Sequence, residues 1–366
     1  MTDRTDDTQI FATLEEILSQ PHSWQAELAQ LEQNPLIEGI LKSTAASVEW
    51  LFVGCGSSFY LAEAAAYSWI KLTGMRARAL PASELLLFPN LAQLKVAGLQ
   101  AVVISRSGST SEAVSAAARL RNEFQVPTLG VTCTANSALH QTCDLTLTIA
   151  NADEKSLVMT KSFSTMLLAV QYLAAKKSGD FEFVQAMKKL AKHDEQGIGP
   201  LSGEVQAFVN SHSFDDFVFL GQGPFHALAC EAALKVMEMS CSYSQFFHTM
   251  EFRHGPKAVV SPKTCLTFFL SETAATAETE VLVEMKQLGG VIIAVCNHST
   301  EPVRKNSGLV VELKFAGPEL ATLWPSIVPS QMFGFFNGIR KKLNPDAPRN
   351  LDRVVMLNHG TRELNP

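Results

Sequence analysis

The chain contains no Cys-x-x-Cys pair, and its seven cysteines (55, 133, 143, 230, 241, 265 and 296) are odd in number and scattered through apolar runs. That excludes a disulfide framework and reads as small buried hydrophobes in a reducing compartment. Cys55, in a glycine-rich loop, and Cys230, beside Glu231, are the two candidate nucleophiles, but neither has a sequence neighbour that would activate it. No His/Cys group shows metal-ligand spacing, so neither a metal nor an organic cofactor is expected. No apolar run approaches the ~18 residues of a membrane span. The acidic start MTDRTDDTQIF lacks both the basic opening and the apolar core of a signal peptide. A cytoplasmic protein is expected. Basic residues are scarce as well, 30 against 36 acids for a net charge of −6, which leaves no electrostatic footprint for nucleic acid. An anionic ligand must therefore be held by local donors.

What is present is apolar bulk, 46% of 366 residues, enough for two domains. Residues 1–8 read as frayed, and Thr13–Ser19 and Ser23–Leu31 read as short helices separated by Pro21. The apolar run Val48–Val53 predicts a strand that enters Gly54-Cys-Gly-Ser-Ser58, followed by a helix over Tyr60–Leu72 that ends at Gly74. A strand at Leu99–Ile104 leads through Ser105-Arg-Ser-Gly-Ser-Thr110 into a helix to about Asn122. Strands at Pro127–Thr132 and Leu145–Ile149 flank a short helix near Ser137. This is the rhythm of an open parallel sheet with helices on both faces. Residues 152–212 read as a mostly helical connection, with Gly197-Ile-Gly-Pro200 as a break.

The pattern then restarts. Phe217–Leu220 runs into Gly221-Gln-Gly, an offset of 221 − 54 = 167 from the first glycine loop, and Leu266–Leu270 runs into Ser271–Thr276, an offset of 271 − 105 = 166. Val291–Cys296 matches the strand that ends near Cys133. Two offsets within one residue argue for duplication, hence an α/β chain of two similar domains. The segments are a helical 1–40, a first domain 41–200, a second 201–340 and a tail or lid 341–366. The copies differ in chemistry. The first loop offers Ser105, Ser107, Ser109, Thr110 and Ser111 at a helix start, whereas the second offers Glu272 and alanines. Hydroxyls with free N–H groups at a helix N-terminus suit phosphate. The alternative is a capping box, Ser109-x-x-Glu112, for which one hydroxyl suffices. Gly54-Cys-Gly lacks both the third glycine of a dinucleotide fingerprint and the P-loop lysine.

The densest chemistry lies in Cys230–Val260. Glu231, Lys235 and Glu238 at i, i+4 and i+7 share one helix face, and Arg253-His254-Gly255-Pro256-Lys257 follows on a turn. A carboxylate among apolar neighbours and a histidine on a turn can move protons at neutral pH. The alternative is an exposed helix ion pair worth a few tenths of a kcal/mol. Trp24, Trp50, Trp69 and Trp324 read as packing, as do Tyr243 and Phe246-Phe247; His22, His140, His193 and His298 read as solvent-facing, and His248 as an interface histidine, with a second acid/base group as its alternative.

With these motifs together, residues 12–360 resemble a tandem pair of SIS (sugar isomerase) domains, similar to the isomerase half of glucosamine-6-phosphate synthase and to the tagatose-6-phosphate ketose/aldose isomerase type, which includes amino-sugar-phosphate deaminases. The resemblance implies a phosphosugar isomerase or deaminase acting on a 2-amino-2-deoxyhexose 6-phosphate. It implies that Ser58, Ser105, Ser107 and Thr110, with backbone around Arg106, hold the phosphate; that Glu238 shuttles the C1–C2 proton; and that His254, supplied across a homodimer interface, assists ring opening. Glu231 and Lys235 line the same pocket, and Leu157–Lys161 resembles a sugar-contacting run, with Met159 departing from it. Arg353 stands where the synthase has its Schiff-base lysine, and arginine cannot form that imine. No glutamine-hydrolysing domain precedes residue 40, so the synthase reaction is disfavoured and the tail is expected to act as a lid. A fructosyl-amino-acid 6-phosphate deglycase is the alternative enzyme. A non-catalytic phosphosugar sensor is the alternative class, and the paired Glu238 and His254 weigh against it.

Overall fold

The computed structural model describes residues 11–193 and 197–356, and the expected fraying of residues 1–8 lies outside them. The first sheet contains β1 (Glu49–Gly54), β2 (Arg76–Pro81), β3 (Leu99–Ile104), β4 (Thr128–Thr132) and β5 (Leu145–Thr148). The second contains β6 (Asp216–Gly221), β7 (Ser244–His248), β8 (Thr264–Phe269), β9 (Val291–Cys296) and β10 (Leu309–Glu312). Their orders, β2-β1-β3-β4-β5 and β10-β9-β8-β6-β7, are the same order once the second is read backwards, and every pairing is parallel. Central strands are buried along their whole length, which is why they read as near-continuous apolar runs.

The pleat sorts each strand between two cores. Trp50 and Phe52 of β1, with Phe217 and Phe219 of β6, point into one large apolar cluster shared by both sheets. Leu51 and Val53 point instead into a cluster under the helices Ala82–Leu87 and Ser111–Asn122, and Val218 and Leu220 into one under Ala275–Gln287. Helices therefore cover both faces of both sheets, and the inner ones (Ser57–Thr73, Lys161–Ser178, Pro224–Ser240 and Val328–Arg340) join the two copies. The repeat extends to backbone detail. A Cβ on Gly54 would sit 2.3 Å from the Ser58 carbonyl, and one on Gly221 2.3 Å from the Phe225 carbonyl.

Several expectations change. The two expected helices form as Ala12–Leu18 and Gln20–Gln33, but they part at Ser19, and Pro21 sits in the first turn of the second, where its missing N–H costs nothing. The helical region does break before Gly197-Ile-Gly-Pro200, and this stretch opens the next helix, Ile198–Ser211, with Gly197 as its N-cap. Lys161–Ser178 is not a connection but core, buried from Ser162 to Ala175. Tyr243 is not packed, at 75% exposed. The four tryptophans are buried and the four named histidines exposed, as expected. No helix among the described residues is long and apolar enough to cross a membrane.

Candidate active site

In each sheet the chain leaves the first strand towards one edge and returns to the other side, so a crevice opens beyond the carboxyl ends of β1 and β3 and of their counterparts β6 and β8. Loop Gly54–Ser58 and loop Ser105–Thr110 line the first crevice. Gly108 has φ +63, and a Cβ there would lie 2.1 Å from Ser137 Oγ and 2.8 Å from Thr132 Oγ1, so only glycine lets this loop close. The Gly108 amide donates to Ser105 Oγ at 3.2 Å, and the Ser109 amide to Ser107 Oγ at 3.2 Å. Thr110 is the helix N-cap and makes no side-chain cap bond. The hydroxyls therefore organise the loop instead of forming the Ser109–Glu112 capping box. Gly108→Ala is expected to weaken the affinity of this loop for an anion about tenfold or more through its displacement, and to lower the unfolding free energy by about 1–3 kcal/mol. Calorimetric titration and a denaturant curve on the same variant measure both.

Arg106 contributes differently. Its guanidinium is nearly buried and donates to the Leu157 carbonyl at 2.9 Å, with Nη1 3.4 Å from Glu154 Oε2. Glu154 also accepts from the Thr160 amide and hydroxyl (2.6 and 2.8 Å) and from the Ser162 hydroxyl (2.5 Å), fastening the start of Lys161–Ser178 beneath the loop. Among the described residues Ser58 Oγ has only the Met159 thioether, 3.9 Å away, as its side-chain partner, a weak acceptor that an anion would readily replace. The tail crosses this mouth. Ser111 N–H donates to the Val355 carbonyl at 3.2 Å, Arg353 reaches the Glu154 carbonyl at 2.5 Å and Asp153 at 3.2 Å, and its own carbonyl faces Arg106.

The helix Pro224–Ser240 brings the charged cluster to the same crevice. Lys235 Nζ lies 3.1 Å from Glu231 Oε1, 2.5 Å from Glu238 Oε2 and 3.1 Å from Ser57 Oγ. Lys235 and Glu231 are wholly buried, so this is no surface pair, and Glu238 alone keeps some exposure, 17% of its side chain. Burial pushes the Glu231 carboxyl up to about 7 against the pull of Lys235, with Glu238 adding to the rise. Burial pulls Lys235 down, but the two carboxylates outweigh it and its pKa is raised overall. Tyr60 also borders this group; burial, then the charges of Cys230 and Glu231, push its phenol up to about 12. Periodicity within one helix could not reveal it.

His254 is not brought to this cluster within the chain. It is exposed, and its ring has no hydrogen bond or ion pair among the described residues. Its loop is pinned by Arg253 and Lys257, each 2.7 Å from Glu284, and by buried Phe252. Burial raises the thiols of Cys55, to about 12, and of Cys230, which argues against either as a nucleophile.

The second crevice is closed to anions by the protein's own carboxylates. Ser271 N–H and Oγ donate to Glu278 Oε2 at 2.7 and 2.8 Å, and the Glu272 amide and Thr273 hydroxyl donate to Glu319. Burial pushes Glu278 up to about 7. A carboxyl raised in the folded state contributes its stability below its unfolded pKa and loses it as pH climbs through the folded value. Between about pH 4.5 and pH 7.5 this costs about 3 kcal/mol. Glu278→Gln is expected to flatten that part of the stability–pH curve and to be the more stable protein at pH 8. Denaturant melts at three pH values test it.

Comparison with known proteins bears on this arrangement. The SIS domain family model matches residues 47–176 and 215–333. The glutamine–fructose-6-phosphate aminotransferase (isomerizing) of Pyrobaculum aerophilum is 27% identical over 357 residues, 93% of this chain and 57% of that protein, so the chain spans little more than half of it. A putative D-galactosamine-6-phosphate deaminase of Escherichia coli, AgaS, is 24% identical over 366 residues, 94% of each. The solved glucosamine-6-phosphate deaminase of Thermotoga maritima superposes with a TM-score of 0.75 at 29% identity, covering 94% of this chain and 100% of that one.

Proposed function

The chain belongs to the SIS domain family, and on that footing we propose that it is a deaminase-isomerase acting on a 2-amino-2-deoxyhexose 6-phosphate. The observation that carries this is the buried Glu231–Lys235–Glu238 cluster beside a serine-rich helix N-terminus, with only Glu238 reaching solvent. Relatives whose names specify galactosamine- and glucosamine-6-phosphate deaminases, matched over nearly their whole length, support the substrate class.

The phosphate is held by Ser58, Ser105, Ser107, Thr110 and the amides of the following helix, far from the reacting carbons, so its binding energy fixes orientation. With the ring open, Glu238 removes the proton at C2 next to the C1 aldehyde. Lys235, buried between the two acids, holds Glu238 in place as the base, and the proton returns at C1. The double bond now lies between C2 and nitrogen. Water adds to C2, ammonia leaves, and a ketose 6-phosphate remains. Glu231, buried and near neutrality, buffers the charge that Lys235 shares between two acids. His254 assists ring opening from a second copy of the chain; its exposure, and a ring with no hydrogen bond or ion pair among the described residues, support that reading. Leu157 shapes the sugar site through its carbonyl bond to Arg106, and Arg353 acts as a lid residue.

The test is to assay the purified chain with glucosamine 6-phosphate, galactosamine 6-phosphate and a fructosyl-amino-acid 6-phosphate, measuring ammonia and free amino acid. Stoichiometric ammonia from an amino-sugar phosphate supports the reading. Amino acid released from the third substrate alone replaces it with the deglycase. Silence on all three, with tight sugar-phosphate binding, replaces it with a sensor.

A further inference from the structure

The fold brings Glu63, from a distant helix, to a His226–Cys230 pair spaced one helical turn apart. Glu63 lies on the helix Ser57–Thr73, and His226 and Cys230 lie one turn apart on Pro224–Ser240; ligating atoms of all three lie within 4.8 Å of one another. Cys230 Sγ is 3.7 Å from His226 Nδ1. The sulfur is also 3.8 Å from His226 Nε2, so it lies against the ring, and a turn of the imidazole aims one nitrogen at an ion shared with Sγ, for which bonds of about 2.3 Å to sulfur and 2.1 Å to nitrogen need a separation of roughly 3.6 Å. Glu63 is half-buried and makes no hydrogen bond or ion pair among the described residues. A carboxylate so placed, facing a thiol and an imidazole, lacks a counter-charge. His248, at the end of β7, stacks on His226 with ring centroids 3.7 Å apart and planes at 13°, and its Nδ1 is buried with no hydrogen-bond partner among the described residues.

We propose that Glu63, His226 and Cys230 bind one borderline-soft divalent cation of the Zn²⁺ type, tying the helix that carries Ser57 and Ser58 to the helix that carries Glu231, Lys235 and Glu238. Mixed oxygen, nitrogen and sulfur donors select such a metal over Mg²⁺ or Ca²⁺. Three protein ligands leave a fourth position for water, and His248 stacks on the imidazole. Binding exchanges the thiol proton for the metal, so affinity rises with pH. This clamp joins the two repeats and is separate from the sugar chemistry.

The full-length chain, stripped with a chelator, is titrated with Co²⁺ and followed by absorbance, then competed with Zn²⁺. One equivalent is expected to produce a thiolate-to-cobalt charge-transfer band, and Zn²⁺ is expected to abolish it and raise Tm. Cys230→Ser is expected to remove the band, and His226→Ala and Glu63→Gln to weaken affinity about tenfold or more. Circular dichroism and metal-free Tm establish that each variant is folded. Should Cys230→Ser not fold, the other two decide. No charge-transfer band in the wild type overturns the site, as does a band that persists in folded Cys230→Ser. Wild-type affinity in both His226→Ala and Glu63→Gln also overturns it.

Discussion

Replacing Glu238 by Gln is expected to lower turnover by ~10²–10⁴-fold, or roughly 3–5 kcal/mol of barrier, while the affinity for a hexose 6-phosphate changes little. The split follows from geometry. Glu238 is the exposed end of the charged cluster, whereas the phosphate donors belong to another sheet and another loop. The amide retains the carboxylate's shape, so the Pro224–Ser240 helix keeps its packing and only proton transfer is lost. Single-turnover kinetics with a separate binding titration resolve the two effects. Turnover within a factor of about three of wild type would remove Glu238 from the reaction.

Replacing Lys235 by Met is expected to destabilise the protein by about 3–5 kcal/mol at pH 8, because it strands buried carboxylates with no cation. The loss is expected to shrink near pH 5. There Glu231, already raised to about 7 with Lys235 present and raised further without it, takes up a proton and ceases to be a buried charge. Adding Glu231→Gln to the lysine variant is expected to recover much of the stability at pH 8 but none of the activity. Denaturant curves at both pH values give the comparison. A loss below about 1 kcal/mol at both would mean that the cluster is solvated rather than buried.

How much of the fold and site is legible in the sequence differs from residue to residue. β1, β3, β4, β6, β8 and β9 stand out because strands buried on both faces read as apolar runs, and the repeated offset discloses the duplication. Of the edge strands, β5 is anticipated at Leu145–Ile149, whereas β2, β7 and β10 are not. β2 reads Arg-Ala-Arg-Ala-Leu-Pro and β7 Ser-Gln-Phe-Phe-His, half-exposed segments with no apolar run to mark them. Glu231, Lys235 and Glu238 are legible because helical periodicity is a local property. Glu154 under Arg106, Glu319 over the 272–273 loop, and Glu63 against His226 are not, since each comes from a distant segment that only the folded chain brings near. The second loop's inability to take an anion follows in the sequence from its alanines. Its physical cause is different: carboxylates already hold the loop's donors.

The central claim is that one repeat grips the phosphate and the other supplies the proton carrier. A crystal structure of the Glu238→Gln variant with glucosamine 6-phosphate tests it most directly. The account predicts phosphate oxygens about 3 Å from the hydroxyls and amides of residues 105–111, with C1 and C2 turned towards position 238. A phosphate lodged at residues 271–274, or a sugar whose C1 and C2 face away from position 238, would contradict it.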